Sequence, residues 1–131
     1  MGDKSGGGVQ RPKNSREELD TNIRQAAKKF PMNDAGEFGK KGRGSRIIEA
    51  TNPNKAANSF WRILANHGEI DHPRRGVHRA TFNDGSIIVY RPVTSTPRSP
   101  AVEISIFNPR LPNSRPQKIH FIRKESRDGA K

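Results

Sequence analysis

Residues 101–107 read AVEISIF and residues 117–122 read QKIHFI. In both stretches apolar and polar side chains alternate, which is typical of a β-strand that is buried on one face only. The buried side would take Val102, Ile104, Ile106, Ile119 and Phe121. The other side would take Ala101, Glu103, Ser105, Phe107, Lys118 and His120. If the two strands are neighbours, one open face therefore carries a carboxylate, a hydroxyl, an ammonium group and an imidazole.

A β-hairpin is predicted upstream of these strands. Residues 76–82 and 86–91 are strand-like, and the intervening Asn83-Asp84-Gly85 is a strong turn signal. A two-residue turn would pair His78 with Arg91 at the end of an apolar face, whereas a bulged three-residue turn would change the pairing. Both alternatives remain open. The candidates for the open side of this hairpin are Arg79, Thr81 and Tyr90.

Two helices are predicted before the strands. The first begins at a capping box formed by Ser15 and Glu18 and ends before Pro31. The second begins at Asn52, with a proline in its first turn, and ends near residue 68. The sequence therefore predicts an α+β fold in which N-terminal helices pack on one face of an antiparallel sheet of about four strands.

The chain of 131 residues is expected to form one domain. Residues 1–14 have the composition of a flexible linker, and residues 123–131 form a basic tail. The domain would occupy residues 15–122, with a helical part over 15–68 and a sheet over 75–122. Within the helical part, residues 36–46 contain GKKGRGSR, which we interpret as a solvated basic loop that attracts phosphate.

The charge of the chain indicates its class of partner. Lys and Arg number 25 against 13 Asp and Glu, which gives a net charge of +12. Such a field concentrates polyanions at the surface. No apolar run approaches the roughly 20 residues of a membrane span, and no secretion signal opens the chain. Nucleic acid is therefore the favoured partner, and no membrane partner is expected. The absence of cysteine excludes disulfides and thiolate chemistry.

The open-face residues suit metal-free cleavage of RNA, which carries its own nucleophile in the 2′-hydroxyl group. Such cleavage needs a base, an acid and a group that stabilises the phosphate. Histidine serves in either proton-transfer role because its pKa lies near neutrality. The candidate catalytic residues are His120, Glu103, His78, Lys118, Arg91, Ser95 and Thr96. The candidate RNA contacts are Ser105, Thr94, Arg98, Arg79, Tyr90, Lys40, Lys41 and Arg43.

Each of these candidates also has a purely structural interpretation. Exposed strands carry Glu, Lys and His for solubility, and His78 fits a partly buried structural role. His67 and His72 are expected to be solvated near turns. Trp61 fits core packing better than base stacking. No recognised metal-binding spacing occurs, so no cofactor is expected.

Parts of residues 75–122 resemble a known family. The quoted segments are Asp84-Gly85-Ser86, Tyr90-Arg91-Pro92, Thr94-Ser95-Thr96, residues 100–105 (PAVEIS) and residues 117–121 (QKIHF). They resemble the C-terminal ribonuclease domains of bacterial polymorphic and contact-dependent growth inhibition toxins, which are assigned to the barnase–EndoU–colicin–RelE superfamily. The family pattern is a basic residue, a Ser-Thr pair, a proline, and then an acid followed by Ser or Thr. Its places are taken here by Arg91, Ser95, Thr96, Pro100, Glu103 and Ser105, with Glu103 where the family usually has Asp.

The resemblance implies a toxin domain that cleaves tRNA in the cytoplasm of a target bacterium. It implies secretion or cell-surface delivery as part of a larger protein, and neutralisation by a cognate immunity protein. The charge of the chain leads us to expect that this partner is acidic. Some relatives use elongation factor Tu as a helper and others do not, and both possibilities stay open. We otherwise expect a monomer.

Two other classes of function compete with the ribonuclease. A non-catalytic RNA-binding protein would explain the charge and the basic loop equally well, but it has no need for Glu103 and His120 on one face. It also lacks the stacking aromatics of an RNA-recognition sheet. A metal-dependent DNase would need convergent metal ligands, which the sequence does not offer.

Overall fold

A computed structural model describes residues 14–94, 99–107 and 116–124. It is an α+β fold with two helices and a seven-stranded mixed sheet. The predicted linker, apart from residue 14, and the predicted tail beyond residue 124 lie outside the described residues. The elements are α1 (Arg16–Lys29), β1 (Lys40–Lys41), β2 (Arg46–Ala50), α2 (Pro53–Ala65), β3 (Glu69–Arg74), β4 (Val77–Thr81), β5 (Ile87–Arg91), β6 (Ala101–Ser105) and β7 (Gln117–Arg123).

Both helices begin where side chains cap their first turns. The Ser15 hydroxyl accepts a hydrogen bond from the Glu18 backbone N–H at 3.3 Å. The Asn52 side chain accepts one from the Lys55 N–H at 3.1 Å, with proline at the first helical position. These bonds satisfy backbone donors that have no partner within the helix. Both predicted helices are therefore confirmed.

The sheet is larger than the sequence predicts. Its strand order is β1-β2-β7-β6-β5-β4-β3, and all neighbours are antiparallel except β2 and β7, which are parallel. The four predicted antiparallel strands are present as β4 to β7, and the prediction lacked β1, β2 and β3 and the parallel pair. The segment that we interpret as a basic loop contains β1 and the first residue of β2, and β3 adds a seventh strand at the other edge. Edge strands with charged residues and proline show little alternation, because neither of their sides is consistently buried.

The turn between β4 and β5 has three residues. The backbone of Phe82 bonds that of Ser86 at 2.9 Å, and Gly85 adopts a left-handed conformation with φ of +98°. This matches the bulged alternative and pairs His78 with Tyr90. Tyr90 consequently lies on the helix-covered face, so its predicted place on the open side was wrong. Arg79 and Thr81 do lie on the open face.

The core lies between the two helices and the sheet. Helix α2 packs against β2, β5, β6 and β7. Phe60 stands at the centre of an aromatic cluster, with ring centroids 5.0 Å from Phe30, 4.8 Å from Phe38 and 5.4 Å from Phe121. Beside it, Trp61 is buried and stacks on Tyr90 at 5.9 Å, which agrees with the core interpretation.

A buried arginine anchors the start of α1 to the sheet. Arg16 bonds Asp20 at 3.0 Å, Asp84 at 3.1 Å and the carbonyl oxygen of Phe107. Burial raises the pKa of the Asp84 carboxyl, but bonds from Ser86 and Arg16 outweigh it and hold the pKa below its ordinary value. This contact fixes the β4–β5 turn and the end of β6 relative to the helices.

Candidate active site on the open sheet face

The face of the sheet opposite the helices brings four predicted side chains together. Glu103 lies directly opposite Lys118, and Ala101 lies between His120 on one side and Arg91 on the other. We call Arg91, Glu103, Lys118 and His120 the open-face cluster. Ala101 is fully buried, and its small side chain leaves room between its larger neighbours. The alternation in residues 101–107 and 117–122 predicted this shared face.

A single carboxylate holds the two cations of the open-face cluster. The Arg91 Nε atom donates to Glu103 Oε2 at 2.9 Å, and Lys118 Nζ lies 4.0 Å from the same oxygen. All three side chains are roughly one third exposed or more. Ion pairs in such positions contribute at most about 1 kcal/mol to stability. Stability therefore does not account for this arrangement, and both cations remain accessible to a ligand.

His120 is the most buried member of the open-face cluster, at 7% exposure. Its Nδ1 atom lies 2.8 Å from the hydroxyl oxygen of Ser99. Ser99 is itself held by Thr94, whose backbone N–H and hydroxyl both donate to the Ser99 carbonyl oxygen, at 3.2 and 2.8 Å. These two bonds join the ends of the connection between β5 and β6, and the Ser99 hydroxyl group lies beside the imidazole of His120.

Burial lowers the pKa of His120 below its ordinary value of 6.5. The positive charge of Lys118 lowers this pKa further, and the negative charge of Glu103 opposes the shift. The imidazole is therefore mostly neutral at pH 7. A neutral imidazole can accept a proton, which is what a general base does.

Two other predicted site residues lie elsewhere. His78 is on the helix-covered face, where its ring stacks on Tyr90 at 5.5 Å and meets the edge of His72 at 4.9 Å. The structure therefore does not bring His78 to His120, because His78 has the same parity as the buried Ala80 and Phe82. Tyr90 is buried in the same stack. This position fits the structural interpretation of His78.

The predicted RNA contacts are spread over several parts of the surface. Arg79 is on the open face and pairs with Asp71 at 2.6 Å, and Lys40 pairs with Glu49 at 3.1 Å. Thr94 is buried with its hydroxyl bonded to Ser99, so it closes the loop. The side chains of Ser105, Lys41 and Arg43 are exposed. Ser95, Thr96 and Arg98 lie outside the described residues.

A groove of about 460 Å³ opens at the start of β2 and β7, next to the open-face cluster. Its lining includes Lys41, Ser45, Arg46 and Lys118. Arg46 is engaged with Glu37 and with the carbonyl oxygens of residues 38 and 39. Lys118 belongs both to this groove and to the open-face cluster, so the groove adjoins the cluster at Lys118.

The sequence interpretation missed Ser99. The signal was available, because the open-face parity of 101, 103 and 105 extends backwards to 99. Pro100 obscures this parity in the sequence, because a proline there marks the start of the strand. The ion pair between Arg91 and Glu103 was also missed, since it depends on the strand register.

Two features are absent from the part of the chain that the structure describes. No group of three or more His, Cys, Asp and Glu side chains is placed to hold a metal ion within residues 14–94, 99–107 and 116–124. In the same part of the chain, neither helix has the length and apolar character needed to cross a membrane.

No protein-family model, curated protein or solved structure matches this chain. The likeness to toxin ribonucleases accordingly rests on the motifs quoted above.

Proposed function

We propose that this protein is a metal-independent endoribonuclease whose open-face cluster cleaves RNA by attack of the 2′-hydroxyl group. The observation that carries the proposal is the His120 imidazole on one sheet face with two partly exposed cations, Arg91 and Lys118. This combination supplies a proton acceptor and phosphate ligands, which are the groups that the reaction needs. The net charge of +12 supports a polyanionic substrate.

The roles follow from the contacts. His120 takes the proton of the 2′-hydroxyl group, the 2′-oxygen bonds to phosphorus, and the bond from phosphorus to the 5′-oxygen breaks. Arg91 and Lys118 stabilise the negative charge on the phosphate, and the Lys118 ammonium group donates a proton to the departing oxygen. Glu103 holds both cations in place. The products are a 2′,3′-cyclic phosphate and a free 5′-hydroxyl group.

The pH dependence of kcat/KM distinguishes a base role of His120 from an acid role. As a base with a lowered pKa, His120 makes kcat/KM fall as the pH falls, with the half-maximal value below pH 6.5. As an acid, it would instead make kcat/KM fall as the pH rises through its pKa. A pH profile of kcat/KM on a short RNA checks this, and the absence of a decline toward low pH, or a half-maximal point of that decline above pH 6.5, would contradict the role of His120 as a base with a lowered pKa.

We further propose that the ribonuclease is the toxic part of a larger secreted or surface-delivered bacterial protein that cleaves tRNA in a target cell. Support comes from the motif resemblance and from the basic charge. An acidic immunity protein would suit this chain, because opposite charges speed association. Purified elongation factor Tu added to a cleavage assay in place of extract would show whether this factor assists.

The test of the proposed function is incubation of the purified protein with total bacterial RNA in EDTA, with and without cell extract, followed by a denaturing gel. We expect discrete tRNA fragments in EDTA and no cleavage of DNA. A requirement for extract would indicate a helper protein. Intact RNA under both conditions, together with a mobility shift on a native gel, would contradict the ribonuclease and indicate a non-catalytic RNA-binding protein.

A further inference from the structure

We propose that Ser99 is a positioning residue that fixes the tautomer of His120. In this arrangement the His120 Nδ1–H donates to the Ser99 hydroxyl oxygen, so that Nε2 carries the lone pair that accepts a proton. The base role of His120 belongs to the proposed ribonuclease, and the inference deepens that function. The hydrogen bond and the tautomer can be measured without RNA.

The contacts of His120 restrict how the ring can be held. Nδ1 lies 2.8 Å from Ser99 Oγ, and in the described part of the chain no other side chain or backbone group hydrogen-bonds the ring. The two nitrogens of a neutral imidazole are a donor and an acceptor, whereas a serine hydroxyl group can either accept from Nδ1–H or donate to Nδ1. The contact therefore fits both tautomers, and the proposed base role requires the first, because only the Nδ1–H form leaves the lone pair on Nε2. Ser99 is placed to hold the ring in that form by accepting from Nδ1–H.

Ser99 is rigidly placed because its backbone is held independently of its hydroxyl group. Thr94 donates twice to the Ser99 carbonyl oxygen, and the next residue, Pro100, accepts from the Phe121 N–H at 2.9 Å. Neither contact involves the Ser99 side chain. The hydroxyl group is therefore not needed to close the loop, and its removal by Ser99→Ala changes the contact with His120 and leaves these backbone contacts in place.

The first test is the tautomer of His120 in the wild-type protein, read from ¹⁵N chemical shifts and two-bond ¹H–¹⁵N couplings of the imidazole above its pKa. We expect the Nδ1–H form in the wild type and in Ser99→Thr, and a mixture of both tautomers in Ser99→Ala. An Nε2–H form in the wild type would overturn the inference, whatever any variant does.

The second test is kinetic. We expect Ser99→Ala to lower kcat about 5- to 10-fold, the factor that corresponds to one lost hydrogen bond, with KM nearly unchanged. Ser99→Thr should restore most of kcat because it keeps a hydroxyl group. Ser59→Ala, at a half-buried position in α2 on the helix side of the sheet, is the matched control and should keep wild-type kcat. Equal kcat for the wild type and Ser99→Ala would overturn the positioning role.

The two proposals fail in different ways. If the wild type does not cleave RNA at all, the proposed function fails, while the Nδ1–H tautomer of His120 still reports the contact with Ser99. If the wild type cleaves RNA and Ser99→Ala matches it in both tautomer and kcat, the ribonuclease stands and only the role of Ser99 is lost.

Discussion

Replacing His120 by alanine is expected to lower kcat at least about 100-fold, the lower end of what general acid–base catalysis contributes. The imidazole is the proton acceptor in the mechanism that we propose, and no second histidine shares its face, because His78 lies on the other side of the sheet. Arg91, Glu103 and Lys118 remain in His120→Ala, so the dissociation constant for RNA should stay within about threefold of the wild type. Single-turnover cleavage and equilibrium binding measure the two quantities.

His72→Ala is the matched control for this variant. It removes the same side chain at an exposed position next to β4, away from the open-face cluster, and it should leave cleavage unchanged. A melting curve of His120→Ala checks that the protein stays folded. Full activity of a folded His120→Ala protein would remove the imidazole from the mechanism, and equal losses in both variants would indicate a nonspecific effect.

Phe60→Ala is expected to lower the free energy of unfolding by about 3–5 kcal/mol, the usual cost of deleting a buried aromatic ring. Phe60 is fully buried and contacts three other aromatic rings, which come from the C-cap of α1, the segment before β1, and β7. The loss is a large part of the roughly 5–15 kcal/mol that keeps an ordinary domain folded. Urea unfolding of the wild type and the variant measures the difference.

Phe107→Ala makes the same chemical change at a position that is 55% exposed. We expect it to lower the free energy of unfolding by less than about 1 kcal/mol, because little apolar surface returns to water. The backbone bonds of Phe107 to Arg16 and Ser86 do not depend on its ring. Equal losses at positions 60 and 107 would contradict the aromatic core described here.

Local patterns in the sequence were sufficient to predict the central strands. Val102, Ile104 and Ile119 alternate with polar residues, and a strand buried on one side has no other way to place them. The same alternation predicted that Glu103, Lys118 and His120 share a face. The helices were equally predictable, since Ser15 and Asn52 cap them through hydrogen bonds to residues three positions along the chain.

The edge strands of the sheet could not be predicted from local sequence patterns. β1 lies in a glycine-rich basic segment and β2 begins at the end of that segment. The parallel pairing of β2 with β7 joins residues more than seventy positions apart. No pattern in the sequence near either strand indicates that β2 and β7 pair. The place of Tyr90 depended on the turn, because one extra turn residue reverses the face of every side chain in the partner strand.

In the candidate site, too, some features follow from local sequence patterns and others depend on tertiary contacts. The identity of the open-face residues followed from parity, whereas their partners required the register and the loop. Arg91 meets Glu103 because β5 and β6 align residue 91 with residue 101. Ser99 meets His120 because Thr94 closes the loop behind it. Sequence patterns name the face on which such side chains lie, and tertiary contacts decide which of them touch.

The most direct test of the account is the chemistry of the fragment ends produced from bacterial tRNA in EDTA. We predict 2′,3′-cyclic phosphate and 5′-hydroxyl ends with the wild type, and no fragments when the nucleotide before the cut carries a 2′-deoxy sugar. Fragments with 5′-phosphate ends, or cleavage at the 2′-deoxy position, would contradict attack by the 2′-hydroxyl group and with it the role of the open-face cluster.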